Sequence, residues 1–164
     1  KVHPIGLEMV TDLEYPLFLG KYFYQNTEKI LNDIPEVLGK RFRLTEWNLP
    51  AVIDAAKRSH MAVLPLDPYG TLNPLKAENR LLMMWRIGLP TLASPSLAYT
   101  RVMRDTQIDG ICHDANEWQM KVTELMNSVE LRKESVEKGQ QYIREFDSEK
   151  MVLEAWDKLF ESVL

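Results

Sequence analysis

The stretch that decides the fold covers residues 61–93, MAVLPLDPYGTLNPLKAENRLLMMWRIGLPTLA. Residues 61–66 form a short apolar run, which is typical of a strand buried on both faces. Pro, Gly, Thr and Asn are frequent over residues 67–73 and indicate a loop. Residues 74–87 favour a helix, and a second strand is expected over residues 90–93. Strand, helix and strand in this order predict a right-handed βαβ unit with parallel strands.

The two ends of the predicted helix carry recognisable signals. Asn73 is a good N-cap residue, and Pro74 would then occupy the first helical position, where its missing N–H costs nothing. Gly88 follows the last helical residue and is the usual C-terminal stop. The sequence therefore predicts a helix from Pro74 to about Ile87.

Ligands of parallel sheets bind at the carboxyl ends of the strands, close to helix N-termini. Here that place is the loop over residues 67–73 and the first turn of the helix. Free N–H groups and the helix dipole favour an anion there. Lys76 and Arg80 are four residues apart, so a helix would place them on one face. A diphosphate above Asn73, reached by Lys76, is the functional hypothesis, and an ordinary solvated helix face is the alternative.

Composition narrows the class of protein. The chain has 164 residues, 45% of them hydrophobic, and a net charge of −4, which argues against a general nucleic-acid or anionic-membrane surface. Cys112 is the single cysteine, so no internal disulfide can form and a cytoplasmic location fits best. No apolar run approaches the roughly 18 residues of a membrane span. Because the chain opens at Lys1, close to a predicted strand, we expect a fragment with an upstream part missing.

The rest of the chain alternates strands with helices and then ends in helices. Further strands are predicted at residues 2–10, 41–46 and 111–112. Helices are predicted at residues 27–38, 48–59, 97–104, 116–127, 131–146 and after residue 148. Ser94-Pro95-Ser96 is expected to form the turn and cap before residue 97, and the apolar face of helix 48–59 consists of Leu49, Val52, Ile53 and Ala56. Glu117 and Lys121 are expected to pair on the outer face of their helix. This alternation predicts an α/β fold with a doubly wound, Rossmann-like parallel sheet and extra C-terminal helices.

The last helix has a strong apolar stripe, and Asp147 and Ser148 could cap it. The stripe consists of Met151, Val152, Ala155, Trp156, Leu159, Phe160 and Val163. Such a stripe is expected to be buried. Packing within this domain is one interpretation, and docking on an absent neighbouring domain is the other.

The order of these pieces resembles the carboxyl-terminal, donor-binding domain of GT-B glycosyltransferases. The resemblance depends on a strand ending in Pro, a loop, Lys-x-x-x-Arg at Lys76 and Arg80, and the Gly88-Leu89-Pro90 turn. A strand of small residues follows, then Tyr99, Gly110, Glu117-Trp118 and two closing helices with Trp156. It covers about residues 41–164. It implies that residues 1–164 are one Rossmann-like domain, the C-terminal half of a two-domain enzyme.

The resemblance implies a nucleotide-sugar donor site for transfer of a sugar to an acceptor hydroxyl. The diphosphate would lie at the start of the helix, its charge neutralised without a metal or other cofactor. The nucleotide base of the donor would lie near a backbone group at Trp47. The implied donor-binding residues are Lys76, Arg80, Asn73, Thr71, Gly70, Tyr69 and Trp47. No catalytic residue is assigned, because the catalytic base usually belongs to the missing N-terminal acceptor domain.

One departure from the family pattern keeps a second interpretation open. Many retaining members carry two Glu residues eight positions apart on this helix, and the second binds the ribose. Aligned through Gly88-Leu89-Pro90, those positions are Leu75 and Met83. A degenerate domain that acts as a binding or scaffold module is therefore the alternative to a transferase.

Two other classes rank lower. A receiver-like signalling domain needs an acidic cluster at strand ends, whereas Asp67 is the only acidic residue at the end of the clearest strand. Cys112, His113 and Asp114 suggest a nucleophilic site, but adjacent residues of a strand point to opposite faces and cannot converge. We expect a partly buried Cys112 and a surface His113 instead.

Overall fold

The computed structural model describes residues 5–16, 24–32, 41–67, 73–146 and 149–163. Contacts divide the chain into two compact units, Lys1–Arg58 and Ser59–Leu164. Helices and small parallel sheets make the fold α/β. The assignment of residues 1–164 to one domain stays a prediction.

The first unit contains a parallel strand pair and a short antiparallel hairpin. β1 (Leu7–Thr11) runs parallel to β4 (Phe42–Glu46), which confirms the two predicted strands, although both begin later than predicted and β1 ends one residue later. The other elements are β2 (Glu14–Pro16), which pairs antiparallel with β3 (Tyr24–Asn26), α1 (Thr27–Asn32) and α2 (Leu49–Arg58). The predicted helix over residues 27–38 is described only as far as residue 32.

Helix α2 begins where its sequence predicts. The Asn48 side chain accepts a hydrogen bond from the Ala51 N–H at 2.8 Å, which caps the helix. Val52 and Ala55 are its buried residues, whereas Leu49 and Ile53, predicted on the apolar face, are exposed. The buried part of the α2 surface is therefore smaller than its apolar face.

The second unit is built on the predicted βαβ unit. β5 (Ala62–Leu64) and β6 (Thr91–Ala93) are parallel, and Ile111 forms a parallel bridge with Ala93. The strand predicted over residues 61–66 was expected to be buried on both faces. This expectation is wrong, because Val63 of β5 is exposed. Every residue of β6, in contrast, is buried. β6 lies between two parallel neighbours, whereas β5 pairs only with β6 among the described strands.

The predicted helix between these strands begins later than expected. Residues Asn73–Leu75 form a single 3-10 turn, and α3 covers Asn79–Arg86, so the predicted start at Pro74 is wrong. The Lys76 carbonyl accepts a hydrogen bond from Ser96 Oγ at 3.1 Å, which connects this segment to the start of the next helix. In a helix from Pro74, that carbonyl would instead accept from the N–H four residues onward.

The predicted end of α3 is confirmed. Gly88 has a φ of 85°, the left-handed conformation that glycine adopts without strain. The Gly88 N–H donates to the Trp85 carbonyl at 3.0 Å, and the Leu89 N–H to the Met84 carbonyl at 2.9 Å. These two bonds form a Schellman motif, which satisfies carbonyls at the end of the helix.

In the described part of the second unit, four helices follow β6. They are α4 (Leu97–Asp105), α5 (Ala115–Asn127), α6 (Val129–Phe146) and α7 (Glu149–Val163). The Ser96 side chain caps α4 by accepting from the Tyr99 N–H, as the sequence predicts. A core cluster of α3, β6 and α4, with α6 packed against it, consists of Leu81, Leu82, Trp85, Ala93, Tyr99, Val102 and Met103. The cap predicted at Asp147 and Ser148 lies outside the described residues.

Two side chains differ clearly from their predicted environments. Lys121 is buried rather than on the outer face of α5, and its Nζ pairs with the Asp109 carboxylate and donates to the Ile111 carbonyl at 2.8 Å. Glu117 instead accepts from the His113 N–H at 2.8 Å. The predicted Glu117–Lys121 surface pair is therefore wrong, because Lys121 holds the segment that leads into α5.

Helix α7 is fully exposed along its described length. Its apolar stripe is present as predicted, but no described residue of the helix is buried. Packing of the stripe within the domain is therefore not observed. No described helix combines the length and the apolar character needed to cross a membrane.

Candidate functional site

The predicted donor-site residues fall in three places. Tyr69, Gly70 and Thr71 lie outside the described residues, and Asn73 begins the 3-10 turn. Lys76 follows that turn, and Arg80 is the second residue of α3. Trp47 is half exposed and belongs to the unit Lys1–Arg58, so its assignment to the nucleotide base stays a prediction.

Lys76 and Arg80 are both exposed, but they do not share a helical face. Lys76 precedes α3 by three residues, so the face predicted from their spacing is wrong. Among the described residues, neither side chain has a hydrogen bond or an ion pair. Both cations are exposed near the start of α3.

The N-cap of α3 differs from those of the next two helices. Glu78 occupies the cap position with φ −72° and ψ −5°, and its side chain makes no cap hydrogen bond. Its carboxylate pairs with Arg101 of α4 at 2.6 Å. Arg101 therefore neutralises the carboxylate closest to the helix start, and the positive charges of Lys76 and Arg80 remain in excess.

A buried tyrosine lies within electrostatic reach of this helix start. Burial raises the pKa of Tyr99, the positive charge of Arg80 opposes that increase, and the negative charge of Glu78 adds to it. Tyr99 is 1% exposed and belongs to the core of the unit. Tyr99 is therefore a core residue of α4, whereas Arg80 is exposed.

Two serines that follow β6 form hydrogen bonds to the segments before and after the loop that follows β5. Ser94 Oγ accepts from the Leu66 N–H at 3.0 Å, and the Ser94 N–H donates to the Leu64 carbonyl at 3.1 Å. Ser96 Oγ donates to the Lys76 carbonyl and also accepts from the Tyr99 N–H. These bonds hold both described sides of the loop after β5. The sequence indicated Ser96 as a cap, but gave no signal for its bond to Lys76 or for Arg101.

The residues after the third parallel segment do not form a nucleophilic site. Cys112 is 1% exposed, and burial raises the pKa of its thiol, which disfavours the reactive thiolate. His113 is exposed, and Asp114 accepts from the N–H groups of Asn116 and Glu117 as the N-cap of α5. The predicted surface position of His113 is confirmed, and Cys112 is more deeply buried than predicted.

The first unit has a depression of ≈ 340 Å³ at the carboxyl ends of β1 and β4. Its lining residues are Asp12, Leu13, Glu14, Asn26 and Glu46. Three carboxylates in one depression repel a diphosphate, so this place does not suit the predicted donor. Within the described ranges, no group of three or more His, Cys, Asp or Glu side chains could hold a metal ion.

The described site therefore consists of two unpaired cations at the start of α3, with a neutralised carboxylate between them. This arrangement is suited to a small anion at the carboxyl edge of the parallel strands. Comparison with family models, with curated proteins and with solved structures gives no match for this chain.

Proposed function

We propose that the chain is the nucleotide-sugar-binding domain of a GT-B glycosyltransferase, which transfers a sugar to an acceptor hydroxyl. The observation that supports it is the parallel β5–α3–β6 unit, whose helix begins beside the two exposed cations Lys76 and Arg80. A doubly wound, Rossmann-like sheet is the matching topology. In this proposal the enzyme is cytoplasmic, and its N-terminal acceptor domain supplies the catalytic base.

The chemistry requires charge neutralisation on the leaving diphosphate. Lys76 and Arg80 would each contribute one positive charge, and the first N–H groups of α3 would add the positive end of the helix dipole. Glu78 carries a carboxylate at the same helix start, but Arg101 neutralises it. A metal ion is not needed for this step, because side chains and backbone groups stabilise the developing charge.

A binding or scaffold module without catalysis is the second candidate. The observation that favours it is the apolar character of Leu75, which is 69% exposed, and of Met83 on α3. These positions would carry the two Glu residues of many retaining members of the family. Without a carboxylate at Met83, this helix has no acceptor there for the ribose hydroxyls.

Nucleotide binding tests the proposal. We expect UDP, GDP or ADP at millimolar concentration to raise the unfolding temperature and to shift amide resonances of residues 76–80. Replacing both cations, Lys76→Ala with Arg80→Ala, should weaken binding about tenfold, because two exposed charge contacts contribute roughly 0.5–1 kcal/mol each. Arg104→Ala is the matched control, since it removes an exposed cation from the last turn of α4.

Three outcomes separate the candidates. Binding that is weakened about tenfold in the double variant and unchanged in Arg104→Ala supports a diphosphate site. No thermal or spectral response to any of the three nucleotides contradicts the transferase proposal. Binding of the diphosphates without sugar transfer, once an N-terminal acceptor domain is supplied, favours the binding module.

A further inference from the structure

We draw no further inference here: the strongest candidate, the exposed apolar face of α7 formed by Val152, Leu153, Trp156, Leu159, Phe160 and Val163, carries none because nothing in the described part of the chain shows what covers it.

Discussion

Trp85 and Trp156 lie on amphipathic helices of the same unit, but their surroundings are opposite. Trp85 on α3 is fully buried; its ring faces Gly139 of α6 and contacts Tyr142 edge to face, with ring centroids 6.5 Å apart. Trp156 on α7 is 53% exposed, and it stacks on Phe160 of its own helix.

The difference shows what a hydrophobic stripe can and cannot predict. Both helices have an apolar face with helical spacing, so their patterns alone predict equal burial. Trp85 is buried because α6 offers a position without a side chain, Gly139, directly against the indole. A stripe therefore indicates that a face is suited to burial, and only a partner of complementary shape determines whether it is buried.

The largest expected effect on the free energy of unfolding is that of removing Trp85, compared with removing Trp156. Trp85→Ala should lower the free energy of unfolding by about 3–5 kcal/mol, because a large cavity opens in the core. Trp156→Ala should change it by less than about 0.5 kcal/mol, as is usual for exposed positions. Urea unfolding followed by circular dichroism measures both. If Trp85→Ala does not fold, Trp85→Phe should still destabilise more than Trp156→Ala. Equal losses at the two positions would mean that the face of α7 is covered in solution.

Gly139→Ala tests the complementary side of the Trp85 contact. A Cβ at this position would lie 2.5 Å from Trp85 Cγ, so the ring or the helix must move. We expect a loss of about 1–3 kcal/mol in the free energy of unfolding from overpacking. The sign of the change in the free energy of unfolding is informative, because Gly→Ala in an open helix interior stabilises by roughly 1 kcal/mol. Lys133→Ala, an exposed position of α6, is the control, and a stabilised Gly139→Ala variant would show that α6 does not pack closely on Trp85.

Sequence patterns predicted well those features that depend on neighbours along the chain. The end of α3 at Gly88 and the cap of α4 at Ser96 depend on bonds within six residues, and both were predicted correctly. Local signals also predicted the parallel strands on either side of α3.

Long-range bonds account for the features that the sequence did not predict. The segment before α3 is not helical at Lys76, and its carbonyl there accepts from Ser96 Oγ, twenty residues away. Lys121 was predicted on the surface, but its side chain is buried, where its ammonium group donates to the Ile111 carbonyl and pairs with the exposed Asp109 carboxylate. For the candidate site, Lys76 and Arg80 could be identified from their charge and loop position, whereas Arg101 has no signal in the sequence and acts only through the fold.

The N-terminal caps of α3 and α5 offer a second comparison between two helices of the second unit. Asp114→Ala should cost about 1 kcal/mol of the free energy of unfolding, since the Asp114 carboxylate accepts from two N–H groups of α5. Asp114→Asn keeps an acceptor and should retain most of the stability. Glu78→Ala should cost less than Asp114→Ala, because Glu78 makes no cap bond and only a part-exposed ion pair. A larger loss at Glu78, measured by the same urea titration, would show that α3 is capped in solution and is less available to an anion.

The smallest expected effect is the loss of core stability at alkaline pH. Burial raises the pKa of Cys112, and Lys121 only partly opposes this. The folded state therefore holds the thiol proton more tightly than the unfolded state does. The resulting stability is complete below the pKa of an exposed thiol, about 8.5, and is lost as the pH rises from there through the folded pKa.

Cys112→Ala removes this titration and should flatten the dependence of the unfolding free energy on pH above about 8.5, whatever its effect on absolute stability. Tyr99→Phe should do the same only above about pH 10, because the pKa of Tyr99 is also raised by burial. Trp156→Ala, which changes no ionisable group, should keep the wild-type slope. If the unfolding free energy depends on pH with the same slope in Cys112→Ala and the wild type, water reaches the thiol. The core around β6 would then be more accessible to water than the environment of Trp85.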